Sequence, residues 1–149
     1  MKYTQDSIVG TWLLVSFELR FEDGSKSHPW GPKVRGQVIY GMDGYMAGSL
    51  MKEDRPKFHS EDIMGGTPEE FSEAMKSYVG YCGPYEYSND RVIHHAEVSL
   101  FPNWTGSNIE RFVQIQGETL TLSTPTLLFG GKRGTANLIW KRAPERGVK

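Results

Sequence analysis

DRVIHHAEVSLFPNWTGSNIER, residues 90–111, is the stretch whose reading decides the fold. Asn89-Asp90 is a turn signal, and Arg91 to Phe101 is rich in β-branched and apolar residues, as strands are. Strand alternation sets His94, Ala96, Val98 and Leu100 on one face, and His95, Glu97, Ser99 and Phe101 on the other. Pro102-Asn103 breaks the strand and Gly106 releases the chain into the next one, so the segment reads as a hairpin. One face therefore carries an imidazole, a carboxylate and a hydroxyl two residues apart. Turned into a cavity, that face is a polar row in an apolar container; turned to water, it is a solvated strand face.

The same reading extends in both directions. Tyr3 to Val9 reads as a short helical turn that leads into a strand from Trp12 to Phe21. In that strand Leu13, Val15, Phe17, Leu19 and Phe21 form a uniformly apolar face, the one expected in a core. Asp23-Gly24 is a hairpin turn, and Gly36–Tyr40 and Tyr45–Met51 pair across Met42-Asp43-Gly44. Lys52 to Gly66 reads as a polar loop. Thr67-Pro68-Glu69-Glu70 has the pattern of a capping box with proline at the first helical position. Phe71, Ala74, Met75, Tyr78 and Val79 follow at helical spacing, which predicts a helix over 67–79 with Gly80 as its stop. Tyr85–Ser88, Ile109–Gln116, Leu120–Ser123 and Thr135–Arg142 complete about nine short strands. Regular antiparallel strands with tight turns predict an all-β sandwich or up-and-down barrel. The expected division is one domain over 1–143 and a disordered tail, PERGVK, over 144–149.

Composition narrows the function classes. The chain has 149 residues, with 17 Lys and Arg against 18 Asp and Glu, so no long-range field favours nucleic acid or an anionic membrane. Its single cysteine, Cys82, excludes an internal disulfide. With no basic cluster beside it, that thiol reads as buried and inert. No apolar run approaches the roughly 20 residues of a membrane span. The opening MKYTQDSIVGTW lacks the pattern of a secretory signal. These features predict a soluble cytoplasmic protein, a monomer or homodimer, with no nucleic-acid or membrane partner.

Gly10-Thr11-Trp12, GQVIYGMDGYMAGSL, the capped helix, HHAEVSLFPNWTGSNIERF and the closing LIWKR occur together in one order over nearly the whole chain. In this the sequence resembles the lipocalin-like domain family of small bacterial and fungal proteins, within the wider calycin barrels. The resemblance implies a closed antiparallel barrel of eight or nine strands around a central cavity, with the inserted helix packed across one opening. It also implies that Trp12 sits at the barrel floor against a basic side chain of the last strand, for which Arg142 is the candidate. The chain departs from secreted lipocalins in lacking disulfides and in carrying a helix between the fourth and fifth strands.

His94-His95 is a weak metal signal, because adjacent strand residues face opposite sides and neither Glu97, His28 nor His59 completes a ligand spacing. No metal or cofactor is expected. His95 with Glu97, near Arg111 on the return strand, is the candidate catalytic group, either as an oriented acid/base or as a grip on a ligand carbonyl. Tyr40, Tyr45, Tyr78, Phe101 and Trp104 are the candidate ligand-binding side chains, since aromatic residues suit an apolar pocket. The expected function is binding of a small, largely apolar molecule, polyketide- or terpenoid-like. Two alternatives stand beside it. One is a cofactor-independent cyclase, isomerase or (de)hydratase of secondary metabolism acting in the same cavity; the other is an interaction scaffold with a filled core.

Overall fold

The computed structural model describes residues 5–88 and 90–148. A single helical turn, α1 (Gln5–Ile8), precedes β1 (Gly10–Phe21), β2 (Lys26–Ser27), β3 (Val34–Tyr40) and β4 (Tyr45–Lys52). Helix α2 (Pro68–Lys76) leads into β5 (Tyr78–Ser88), β6 (Arg91–His95) and β7 (Val98–Ser99). The chain ends with β8 (Asn108–Gln116), β9 (Thr119–Ser123), β10 (Leu127–Phe129) and β11 (Lys132–Arg142). The antiparallel order β1-β3-β4-β5-β6-β8-β9-β11 returns to β1 and closes an eight-stranded barrel. Strands β2, β7 and β10 are short additions paired to β1, β5 and β11. Closure leaves the barrel strands without a free edge.

The strand alternation of β1 is not uniform. Its register against β11 shifts between Leu14 and Ser16. This bulge inserts one extra residue and exchanges the two faces from there on. Trp12 and Leu14 therefore point inward before it, and Phe17 and Leu19 after it, all buried. Leu13 and Val15, expected in the core, are 37% and 52% exposed. Phe17 and Leu19 are in the core as the sequence predicts.

One barrel end is plugged. Trp12 is fully buried, its indole N–H donates to the Ile8 carbonyl at 2.9 Å, and Ile8 is itself fully buried. The Arg142 guanidinium lies 4.0 Å from the Trp12 ring and donates to the carbonyls of Val9 and Ser7, each at 2.9 Å. The expected partnership at the floor is present. Gly10 belongs to it: φ is +121°, and a Cβ there would stand 2.9 Å from Arg142 Nη1.

The opposite end gathers the long connections β2–β3, β4–β5, β6–β8 and β9–β11. Helix α2 lies in one of them. Thr67 Oγ1 accepts from the Glu70 amide at 3.1 Å, and Glu70 Oε1 accepts from the Thr67 amide at 2.9 Å, completing the capping box. The helix stops earlier than its apolar spacing predicts. Ser77 turns the chain, its hydroxyl donating back to the Glu73 carbonyl at 2.7 Å. Tyr78 and Val79 then join β5, which pairs with β4 from Met51↔Tyr78 onward. Tertiary pairing thus overrides the helical period, and Gly80 lies inside a strand. No residue of α2 is buried. Its end is tethered by Trp30 Nε1 to the Lys76 carbonyl at 3.0 Å and by Arg55 Nη2 to the Ala74 carbonyl at 3.0 Å.

Two outcomes follow. Arg142→Ala leaves two carbonyls and a tryptophan face without their cation, and should lower unfolding free energy by about 2–4 kcal/mol in urea titration. Thr67→Ala should cost about 0.5–2 kcal/mol through the lost cap, a loss that hydrogen exchange should confine to α2 and its flanking loop.

Candidate functional site

A cavity of about 520 Å³ occupies the barrel between the floor and the loop-bearing end. That volume lies within the range of roughly 300–1,000 Å³ typical of small-molecule sites. Val38, Met46, Leu50, Ile109, Leu122, Leu138 and Trp140 give it an apolar wall. Phe101 and Trp104 line it as well, with Leu127 and Leu128 from the short strand β10. No residue of α2 contributes to the wall. The helix meets the cavity only indirectly, through Trp30, whose ring packs edge-on against Phe17 at 5.1 Å.

Alternation on β6 places Val92 and His94 inward, both buried, followed by Ala96 just past the strand end. His95 points outward, where its Nε2 meets Glu86 and its Nδ1 meets Asn108 Oδ1, both at 2.7 Å. The Glu86 carboxylate, with Asn108, raises the His95 pKa. Glu97 is exposed, beyond the end of β6. Of the row expected to face the cavity, His95 and Glu97 thus lie outside while Phe101 lines it; of the opposite face His94 and Ala96 are buried, whereas Val98 and Leu100, beyond the end of β6, are exposed. The physical reason is plain. A closed barrel must put its more apolar strand face inward, and α2, bearing no buried residue, does not cover the outside of β6. Arg111 does line the cavity, from β8. Phe101 and Trp104 line it as well. Tyr45 is 58% exposed, and Tyr78 points to the outer wall, donating to Ser49 Oγ at 3.0 Å. Tyr40 is buried behind the wall rather than in it.

The polar centre of the site is a three-residue chain. Tyr40 Oη lies 2.7 Å from His94 Nε2, and Tyr81 Oη lies 2.6 Å from His94 Nδ1. The strand order that brings them together is β3, β6 and β5. Gly83 permits the last contact. A Cβ there would overlap the His95 carbonyl where β5 passes from β6 to β7. His94 is 2% exposed. Burial, reinforced by the Arg111 charge, lowers its pKa to about 3. The imidazole is therefore neutral, with one nitrogen donating and the other accepting. Burial pushes both tyrosine hydroxyls up, Tyr40 well above its ordinary value, so both keep their protons.

These constraints assign the hydrogens. The Tyr40 hydroxyl is buried and has His94 as its hydrogen-bond partner, so its O–H must donate to Nε2 or go unpaired at a cost. Nδ1 then carries the ring proton and donates to Tyr81 Oη. Tyr81 is an acceptor toward His94 and keeps its O–H to offer to the cavity that it lines. An aromatic series surrounds this chain. Tyr85 packs edge-on to Tyr40 at 5.0 Å, Tyr81 to Trp104 at 5.7 Å, and Trp104 to Phe101 at 5.3 Å. Sequence reasoning missed Tyr81 and the inward role of His94. The available signals were the apolar character of the His94 face and the alternation Val79, Tyr81 that continues β5.

The lipocalin-like domain family matches residues 9–143. The chain is 35% identical over 108 residues to the 4'-hydroxy-3'-methoxypropiophenone carrier protein of Aspergillus oryzae, covering 66% of this chain and 97% of that protein.

His94 also sets a pH dependence. Its folded pKa, about 3, is depressed below the ordinary 6.5. Its contribution is therefore intact above pH 6.5 and is lost as pH falls toward 3, because only the unfolded chain takes up the proton there. The loss amounts to about 1.4 kcal/mol per pH unit in that window. Denaturation at pH 7 and pH 4.5 should show a smaller acid loss in His94→Asn than in the parent protein. Equal losses in the two would remove His94 as a cause. The closed antiparallel barrel and the family match over residues 9–143 make this chain a member of the lipocalin-like domain family.

Proposed function

We propose that the barrel binds and carries a small, largely apolar aromatic molecule that bears a carbonyl or similar acceptor oxygen. The observation that carries this reading is the Tyr81 hydroxyl, 2.6 Å from the neutral His94 imidazole, at the wall of an apolar cavity of about 520 Å³. Trp104 and Phe101 in the wall offer edges and faces to an aromatic ring. The carrier relative from Aspergillus oryzae, named for an aromatic ketone, supports the same ligand class. Phe101 and Trp104, expected as ligand-binding residues, and Arg111, expected as a catalytic candidate, line the cavity and are its proposed ligand contacts. His95 and Glu97, on the outer wall, have no contact with such a ligand.

The cyclase or isomerase reading is less well supported. It needs a base, and His94, the imidazole in the wall, has a pKa of about 3 with both nitrogens engaged. Such a group orients a donor more effectively than it removes a proton.

Isothermal titration calorimetry with 4'-hydroxy-3'-methoxypropiophenone tests the proposal. The parent protein should bind it. Ala136→Trp, which fills the cavity from β11, should abolish binding. Tyr81→Phe should weaken it by about 0.5–1.5 kcal/mol, the contribution of one neutral hydrogen bond. His95→Ala should leave affinity unchanged. Undiminished binding by Ala136→Trp would place the ligand elsewhere.

A further inference from the structure

Arginine is charged at any physiological pH, and a charge facing an apolar enclosure is costly unless it is paired. Among the described residues, three arginines of this barrel have a carboxylate partner. Arg20 meets Glu18 at 2.7 Å, Arg91 meets Glu110 at 3.3 Å, and Arg142 has two carbonyls, an indole face and Glu118 at 4.0 Å. Arg111 is different. It lines the cavity, and its guanidinium makes one hydrogen bond among the described residues, from Nη1 to the Glu110 carbonyl at 2.9 Å. Among the described residues no carboxylate comes within 4.0 Å of it. Glu110, its neighbour, has its carboxylate engaged with Arg91.

The groups around Arg111 do not neutralise it. On β6, His94 is neutral; on β3 and β5, Tyr40 and Tyr81 keep their protons, and the Arg111 charge reaches all three. Glu110, Ser107, Asn108, Thr124 and Thr126 also line the cavity, and the wall has three notable donors. Arg111 has N–H groups to give, Tyr81 has its O–H, and the buried indole N–H of Trp140, another wall residue, has no partner among the described residues. A cavity furnished with donors and a lone positive charge is complementary to an oxygen that is both an acceptor and an anion.

We propose that the physiological ligand carries an acidic oxygen, a carboxylate or a phenol acidified by a conjugated carbonyl, and that it binds ionised with this oxygen on Arg111. The inference rests on the cavity-binding reading and specifies the ligand's chemistry. The side chains facing Arg111 do not titrate between pH 5 and 8, so the pH dependence of affinity in that range belongs to the ligand.

Two matched pairs of probes test this. The first is 4'-hydroxy-3'-methoxypropiophenone against its O-methyl ether; the second is 3-(4-methoxyphenyl)propanoate against its methyl ester. Affinities are measured from pH 5 to 8.5 in the parent protein, Arg111→Met, Arg111→Lys and the cavity-filled Ala136→Trp. In at least one pair the ionised member should bind the parent protein about tenfold or more tighter than its alkylated partner. The phenol's affinity should rise with pH through its own pKa, whereas the carboxylate, ionised over nearly the whole range, stays tight and flat, and the ether and ester stay flat. The pair that shows the preference identifies the acid as a phenolate or a carboxylate. Arg111→Met should reduce the preference, the ratio of the ionised member's affinity to that of its neutral partner, to within about threefold. Arg111→Lys should retain the sign of the preference, which separates lost charge from lost structure. If neutral partners bind and are excluded by Ala136→Trp, but the acids show no preference that depends on Arg111, this inference falls and the cavity reading stands. If no probe binds, or if Ala136→Trp binds all of them, both fall.

Discussion

The constraint on which this site depends is the buried imidazole of His94, 2.7 Å and 2.6 Å from two tyrosine hydroxyls. A histidine in this position cannot be charged without a large desolvation cost. Held neutral, it has one proton to give and one lone pair to fill. Tyr40, closed off behind the wall, takes the lone pair. Tyr81 takes the proton and turns its own O–H to the cavity. One titratable residue on β6 thus fixes the hydrogen-bond polarity of a donor on β5, across strands that the barrel holds at a set register.

The barrel uses its two inward-associated cations in opposite ways. Arg142 at the floor is satisfied by the Ser7 and Val9 carbonyls and the face of Trp12, and it seals one end. Arg111 in the wall has a single carbonyl. The first arrangement is that of a structural plug; the second leaves interaction free energy for a ligand to supply. Packed apolar side chains from β3, β4, β8, β9 and β11 provide the non-directional part of binding. The polar chain on β3, β5 and β6, with Arg111 on β8, provides orientation. Helix α2 belongs to neither group. Its capping box and its ties to Trp30 and Arg55 hold a long connection in place.

Much of the barrel was legible in the sequence because turn chemistry and period-two alternation are local. Asp23-Gly24, Met42-Asp43-Gly44 and the Thr67–Glu70 cap all sit where the residues place them. What was not legible depended on non-local pairing. The bulge at Leu14–Ser16 is fixed by register against Ile139 and Trp140 of β11, at the far end of the sequence, and it exchanges the faces of β1. Tyr78 and Val79 fit a helical period, yet pairing with β4 made them strand. The orientation of β6 could have been read. Ala96 and Val98 beside His94 form the more apolar face, and the attraction of a polar row on the other face led the assignment of His95 and Glu97 astray. Arg111 survived that error because it sits on β8, whose own alternation with Ile109, Val113 and Ile115 turns it inward.

The central claim is that His94 is a neutral, Nδ1-protonated imidazole that aims the Tyr81 hydroxyl at the cavity. Long-range ¹H–¹⁵N NMR of selectively labelled histidine tests it directly, because the two ring nitrogens differ in shift between tautomers and both move on protonation. The spectrum expected of His94 is that of the neutral Nδ1–H form, unchanged from pH 8 to about pH 4, while the half-buried His95, held up by Glu86 and Asn108, titrates above the ordinary imidazole value. An imidazolium at pH 6 would contradict the neutral ring, and a neutral ring protonated at Nε2 would contradict the donor assignment, since Tyr81 would then give its O–H to Nδ1 instead of to a ligand.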